Sequence, residues 1–164
     1  MAKAIMLLSA LCIVALANFA HCNAEVFDVE GKVYCDTCRF EFETKLSENI
    51  EGATVKLQCR NIGSGAETFS VEGVTDKEGK YKLRVEGDHQ EDICEVTVGK
   101  SPREDCKESV SGYEKARIEC SDNTGIHNAV RYANPLFFMK AQTVAGCQQI
   151  LEELGLFRMD IISK

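Results

Sequence analysis

The chain's first chemically suggestive feature is a pair of thiols three residues apart, Cys35-Asp36-Thr37-Cys38, inside Gly31-Lys32-Val33-Tyr34-Cys35-Asp36-Thr37-Cys38-Arg39. Two cysteines at this spacing serve as a redox couple, as half of a zinc site, or as anchors of two disulfides, and the compartment decides among these uses. Redox catalysis needs a thiolate stabilised at a helix N-terminus in a βαβ setting. Here the preceding segment alternates as a strand, and no parallel α/β pattern follows. Zinc needs further ligands. There is no second Cys-x-x-Cys, and His89 and His127 stand isolated in the sequence. Structural bridging is the expectation.

The N-terminus supports an oxidising destination. Lys3 precedes an apolar run from Ala4 to Ala17, and Cys22 and Ala24 occupy the −3 and −1 positions of a small-residue cleavage site. Residues 1–24 therefore read as a secretory signal cut at Ala24/Glu25, with a single domain over 25–164. The apolar run is shorter than the roughly 20 residues a membrane span requires. Membrane insertion is not expected, and localisation is read as secreted, in the extracellular space or wall. Removing 24 of 164 residues leaves 140, enough for one core. The signal holds one of the 19 basic residues and none of the 26 acidic ones, so the mature charge is −8. That balance argues against nucleic acid and against anionic membrane surfaces.

Seven cysteines remain after cleavage: Cys35, Cys38, Cys59, Cys94, Cys106, Cys120 and Cys147. Six of them allow fifteen connectivities, so spacing does not fix the pairing.

The elements that must position these groups are written in period two. Phe27, Val29, Gly31, Val33 and Cys35 alternate with polar residues, as do Ala53, Val55, Leu57 and Cys59. Further strands are read around Phe69 and Val71, Tyr81 to Val85, Cys94 to Val98, Ala116 to Cys120, and Ala129 to Tyr132. Turn signals separate them at 61–65, 76–79, 101–102 and 134–135. Cys147, Ile150, Leu151 and Leu154 recur at helical spacing, so Val144–Leu154 reads as a short helix capped at Gly155. The fold class is all-β: about seven antiparallel strands in a disulfide-stapled sandwich or small barrel with a short C-terminal helix.

These residues together resemble the plant pollen-protein family named for the major olive pollen allergen. The resemblance rests on Gly31 to Arg39, Gly52 to Cys59, Val74 to Tyr81, Gly87 to Cys94, Ser101-Pro102, Cys106, Asn134 to Phe138 and Cys147. It implies a secreted, monomeric, non-enzymatic pollen protein acting in pollen hydration or pollen-tube growth. Its partner would be an extracellular protein receptor or a cell-wall component. It also implies the bridges Cys35–Cys106, Cys38–Cys147 and Cys59–Cys94; residues three apart in a strand face opposite ways, which suits different partners for Cys35 and Cys38. No cofactor or metal is implied.

The chain departs from the family at three points. Cys120 is extra, Phe137 stands where glycine is usual and is expected to alter a turn there, and no Asn-x-Ser/Thr occurs.

Other candidates carry less chemistry. Asp88-His89-Gln90-Glu91-Asp92 lacks the alternation and glycine of a calcium loop and reads as an acidic, solvated hairpin loop. Paired carboxylates on a wall-polysaccharide-modifying enzyme or another hydrolase are the alternative function, but no Gly-x-Ser-x-Gly occurs. Arg39, directly after Cys38, is a candidate surface contact; its plainer role is an ion pair with a nearby carboxylate.

Overall fold

The computed structural model describes residues 26–122, 124–125 and 129–156. The signal segment, the Ala24/Glu25 junction and His127 lie outside the described residues. Among the described residues ten strands and one helix follow in order: β1 (Val26–Asp36), β2 (Glu48–Asn49), β3 (Thr54–Asn61), β4 (Glu67–Val74), β5 (Lys80–Glu86), β6 (Asp92–Val98), β7 (Cys106–Glu108), β8 (Lys115–Ile118), β9 (Val130–Tyr132), β10 (Leu136–Lys140) and α1 (Cys147–Glu153).

Eleven residues make β1 the spine of a six-stranded sheet. Its first half pairs antiparallel with β5 and parallel with β9, and its second half pairs antiparallel with β2 and parallel with β10. Strand β10 in turn carries β7. The second sheet is antiparallel throughout, in the order β4-β3-β6-β8. The fold is thus mostly antiparallel in two sheets, but not wholly so: two parallel ladders run along β1, a departure from the all-antiparallel expectation. Parallel neighbours need long crossovers, which local turn signals do not announce.

Alternation determines which faces meet. Val29, Val33 and Cys35 of β1, Leu83 and Val85 of β5, Val55, Leu57 and Cys59 of β3, and Val96 of β6 are all almost fully buried in one core. Midway along β1, Gly31 faces Tyr81 in register. A Cβ there would sit 2.2 Å from the Tyr81 hydroxyl, so the bare backbone makes room for the ring. Gly79 closes the turn into β5 at φ 72°, where a Cβ would meet the Val33 carbonyl oxygen at 2.5 Å.

Strand β10 behaves differently. Leu136, Phe137, Phe138 and Met139 are all buried, because β10 lies between β1 and β7 with both faces covered. Leu136 and Phe138 join the main core, while Phe137 and Met139 pack with Tyr34 in a small second cluster beneath Val110. Phe137 therefore occupies a central strand rather than the altered turn expected from the sequence. Its phenyl ring is the floor of that cluster, 5.4 Å from the Tyr34 ring and 5.2 Å from Tyr113.

Candidate functional site

The segment after β1 is organised by one buried carboxylate. Asp36 Oδ1 accepts the Cys38 and Arg39 backbone N–H groups at 3.0 and 2.8 Å, and Oδ2 accepts the Glu41 N–H at 2.8 Å. Arg39 and Glu41 hold left-handed backbones at φ 61° and 64°, uncommon for side-chain-bearing residues and costly unless their surroundings fix them. The Asp36 carboxylate supplies that fixing. Next to it Thr37, fully buried, donates its hydroxyl to the Leu46 carbonyl at 2.8 Å, and its own carbonyl accepts the Val144 N–H at 3.2 Å.

The two thiols leave this turn in different directions. Cys35 is bonded to Cys106 at the start of β7, and Cys38 is bonded to Cys147 at the start of α1. The third bridge, Cys59–Cys94, joins facing residues of β3 and β6. Neither sulfur of the Cys-x-x-Cys carries a proton or a lone thiolate. Among the described residues Cys120 is the free cysteine, only 1 % exposed. Burial pushes its thiol up to about 12, against a smaller pull from Arg131, so it stays protonated and unreactive.

Arg39 completes the turn as a clamp. Its guanidinium donates to both Glu108 oxygens, at 2.6 and 2.7 Å, and to the Lys140 carbonyl at 2.8 Å, tying the turn to β7 and β10. The hydrogen bond to Glu108 raises the Arg39 pKa and lowers that of Glu108, although partial desolvation opposes both shifts. About a third of the Arg39 side chain, 32 %, remains exposed.

The acidic loop at 88–92 is only partly solvated, which corrects the sequence expectation. His89 is buried, its ring 5.2 Å from Phe69, and its Nδ1 lies 2.9 Å from Asp92 Oδ2. Burial raises the Asp92 carboxyl, but hydrogen bonds from Thr68 and His89 outweigh it and leave the group more acidic than usual. Nor is His89 isolated: one of its ring nitrogens lies within 4.8 Å of the Cys59 and Cys94 sulfurs. Those sulfurs are spent on each other, so a metal would first have to find them reduced.

A second feature was invisible in the sequence. The exposed aromatic side chains among the described residues are Phe42, Tyr113 and Tyr132, at 37, 43 and 74 %. All three line two adjoining cavities. The larger, about 730 Å³, has Tyr132 and Val74 on its walls and Tyr81 and Gly31 in its lining; the smaller, about 420 Å³, has Phe42 and Tyr113. They share Pro135, and the Lys32–Glu43 ion pair joins the lining of one to the lining of the other. The Tyr81 hydroxyl is buried without a hydrogen-bond partner, and burial pushes its pKa up to about 12. Three distant segments of chain supply these aromatics, so no local pattern could have grouped them.

Comparison with known proteins places this architecture. Residues 25–155 match the family described as "Pollen protein Ole e 1 like". The chain is 82 % identical over 160 residues to the anther-specific protein LAT52 of Solanum lycopersicum, covering 98 % of this chain and 99 % of that one. It is 46 % identical over 166 residues to an Olee1-like protein of Betula pendula, covering 99 % of each. The crystal structure of the major plantain pollen allergen Pla l 1 superposes with a TM-score of 0.66 at 35 % identity, covering 74 % of this chain and 99 % of that one.

Proposed function

The chain belongs to the Ole e 1-like family of pollen proteins, and on that premise we propose that it is a secreted, non-enzymatic recognition protein of pollen. In this reading it is exported after cleavage at Ala24/Glu25 and acts as a monomer in pollen hydration or pollen-tube growth. It does so by binding an extracellular protein receptor or a cell-wall component. Abundance and a covalently braced fold also make it a potential allergen, the description its relatives from Crocus sativus and Chenopodium album carry.

One observation carries this reading. Every reactive group of the Cys35–Arg39 segment is consumed in holding the backbone, through two disulfides, three carboxylate-capped N–H groups and a guanidinium clamp. Bracing of this kind lowers the ordering cost of binding, which is the use a recognition surface has for it. Arg39 remains a candidate contact at its exposed edge.

The hydrolase alternative draws no comparable support. A general acid working near neutrality needs a carboxyl shifted upward. Among the described residues the carboxylates that shift, Asp92, Glu104, Asp105 and Glu108, all shift downward. The test is to apply fluorescently labelled mature protein to germinating pollen and measure surface binding, hydration and tube elongation. Saturable binding with a change in hydration or elongation is the expected result. Turnover of a wall-glycan panel by the purified chain would overturn the reading.

A further inference from the structure

We propose that the paired cavities beside β1 form a binding groove for a neutral polysaccharide chain, an inference that deepens the recognition reading and rests on it. Exposed aromatic rings scattered over a surface need no explanation. Here all three exposed aromatics of the described residues fall in two cavities that meet at Pro135. Each is the size of a ligand site, and aromatic walls with a few polar groups are the usual lining of such sites.

The groove is pre-formed. Tyr113 packs on Phe137, which packs on Tyr34, within the small cluster that β10 holds against β1. Tyr81, 97 % buried, adds a fixed ring to the larger cavity's lining, its hydroxyl end packed over Gly31.

The charges select the ligand class. Lys32, Lys80 and Lys82 stand against Glu30 and Asp76 around the larger cavity, and Lys115 stands against Glu41 and Glu43 around the smaller. The two signs nearly cancel, which gives no preference for a polyanion or a polycation. What the rim does offer is ammonium donors and carboxylate acceptors side by side. Hydroxyl groups both donate and accept, so a polyhydroxylated chain answers both. A proline-rich peptide also favours aromatic grooves. Its prolines offer carbonyl acceptors and no N–H donors, which leaves the rim carboxylates short of donors. Sugar rings laid on Tyr132 and Tyr113, with hydroxyls toward the rim, satisfy the whole site.

The experiment uses the mature chain with its bridges intact. It is titrated in parallel with neutral β-linked hexasaccharides of glucose, galactose and xylose, with an oligogalacturonate hexamer and with a polyproline decamer. Binding is followed by backbone NMR shifts and calorimetry. At least one neutral hexasaccharide is expected to bind saturably, with shifts centred on Tyr132, Tyr113 and Pro135. Tyr132→Ala should weaken that binding about tenfold, and Tyr132→Phe, which keeps the ring, by less than about threefold. Tyr132 is largely exposed, so neither variant should shift the thermal midpoint. Tighter binding of the uronate or the peptide would overturn the proposal, as would saccharide binding indifferent to Tyr132→Ala. Failure of every saccharide while the labelled chain still decorates pollen tubes would refute the glycan groove and leave the recognition reading standing. Failure of both would remove both.

Discussion

The two ends of the molecule use disulfides for different purposes. At the Cys35–Arg39 end, bridges run to β7 and α1 across 71 and 109 residues. In the four-stranded sheet, Cys59–Cys94 spans 35 residues and joins two positions that already face each other in the β3–β6 ladder. Loop-closure entropy barely distinguishes them: the chain-entropy model gives roughly 4.8, 4.4 and 3.8 kcal/mol for the three loops in descending length. What separates them is the hold that remains without the bond. The β3–β6 ladder has seven paired positions, whereas α1 has seven residues, two of them buried, and no side-chain cap at its N-terminus. A helix that short does not persist in water alone. One bridge therefore reinforces structure, and the other creates it.

That contrast is open to direct attack. The largest effect is expected from Cys38→Ala with Cys147→Ala, at about 4–5 kcal/mol. In native-state hydrogen exchange the amides of Gly146 to Leu156 should lose protection while those of β3 and β6 keep theirs. Equal loss in both regions would break the contrast.

Asp36→Ala comes next. It strands three backbone N–H groups and frees two left-handed residues, so a cost of about 3–4 kcal/mol is expected by urea unfolding. Asp36→Asn, which keeps an acceptor oxygen, should cost about half as much. A cost under about 1 kcal/mol for the alanine variant would remove Asp36 as the organiser of the turn.

Cys59→Ala with Cys94→Ala should cost less than the Cys38–Cys147 removal, about 3–4 kcal/mol, and leave the ladder protected.

The smallest effect concerns pH. Arg39 holds the folded Glu108 carboxyl below its unfolded value, so the stability this pair contributes is present above the unfolded carboxyl range. It is lost as pH falls through the depressed folded value. Glu108→Gln should flatten that part of the acid limb in urea midpoints. An unchanged acid limb would leave the clamp without energetic weight.

How much of this was legible depends on burial. Strands with one wet face, such as β1 and β3, announce themselves by alternation, and so does the spacing of Cys147, Ile150 and Leu154 in the C-terminal helix. Strand β10 is covered on both sides, so Leu136 to Met139 is an unbroken apolar run behind a proline and reads as turn and core. With only two residues, β2 has no period to read. Arg131 is the clearest omission in the core: a cation 4 % exposed, seated 3.9 Å from the Phe27 ring centroid and donating to the Glu119 carbonyl at 2.9 Å. Nothing in its neighbours marks it as buried. At the site, the thiols and Arg39 stand out by type and spacing. The hub role of Asp36 depends on the left-handed backbone beyond it, which sequence does not display. Fifteen connectivities remained open on spacing alone, and resemblance rather than geometry suggested the pairing that the sulfurs adopt in the structure.

The central claim is that exported cysteines serve here as covalent braces for a recognition surface. Alkylation of the unreduced mature chain, read by mass spectrometry before and after unfolding, tests it most directly. The account predicts no label on the native protein and a single label, on Cys120, once the chain is denatured. Label on Cys35 or Cys38, in either state, would contradict it.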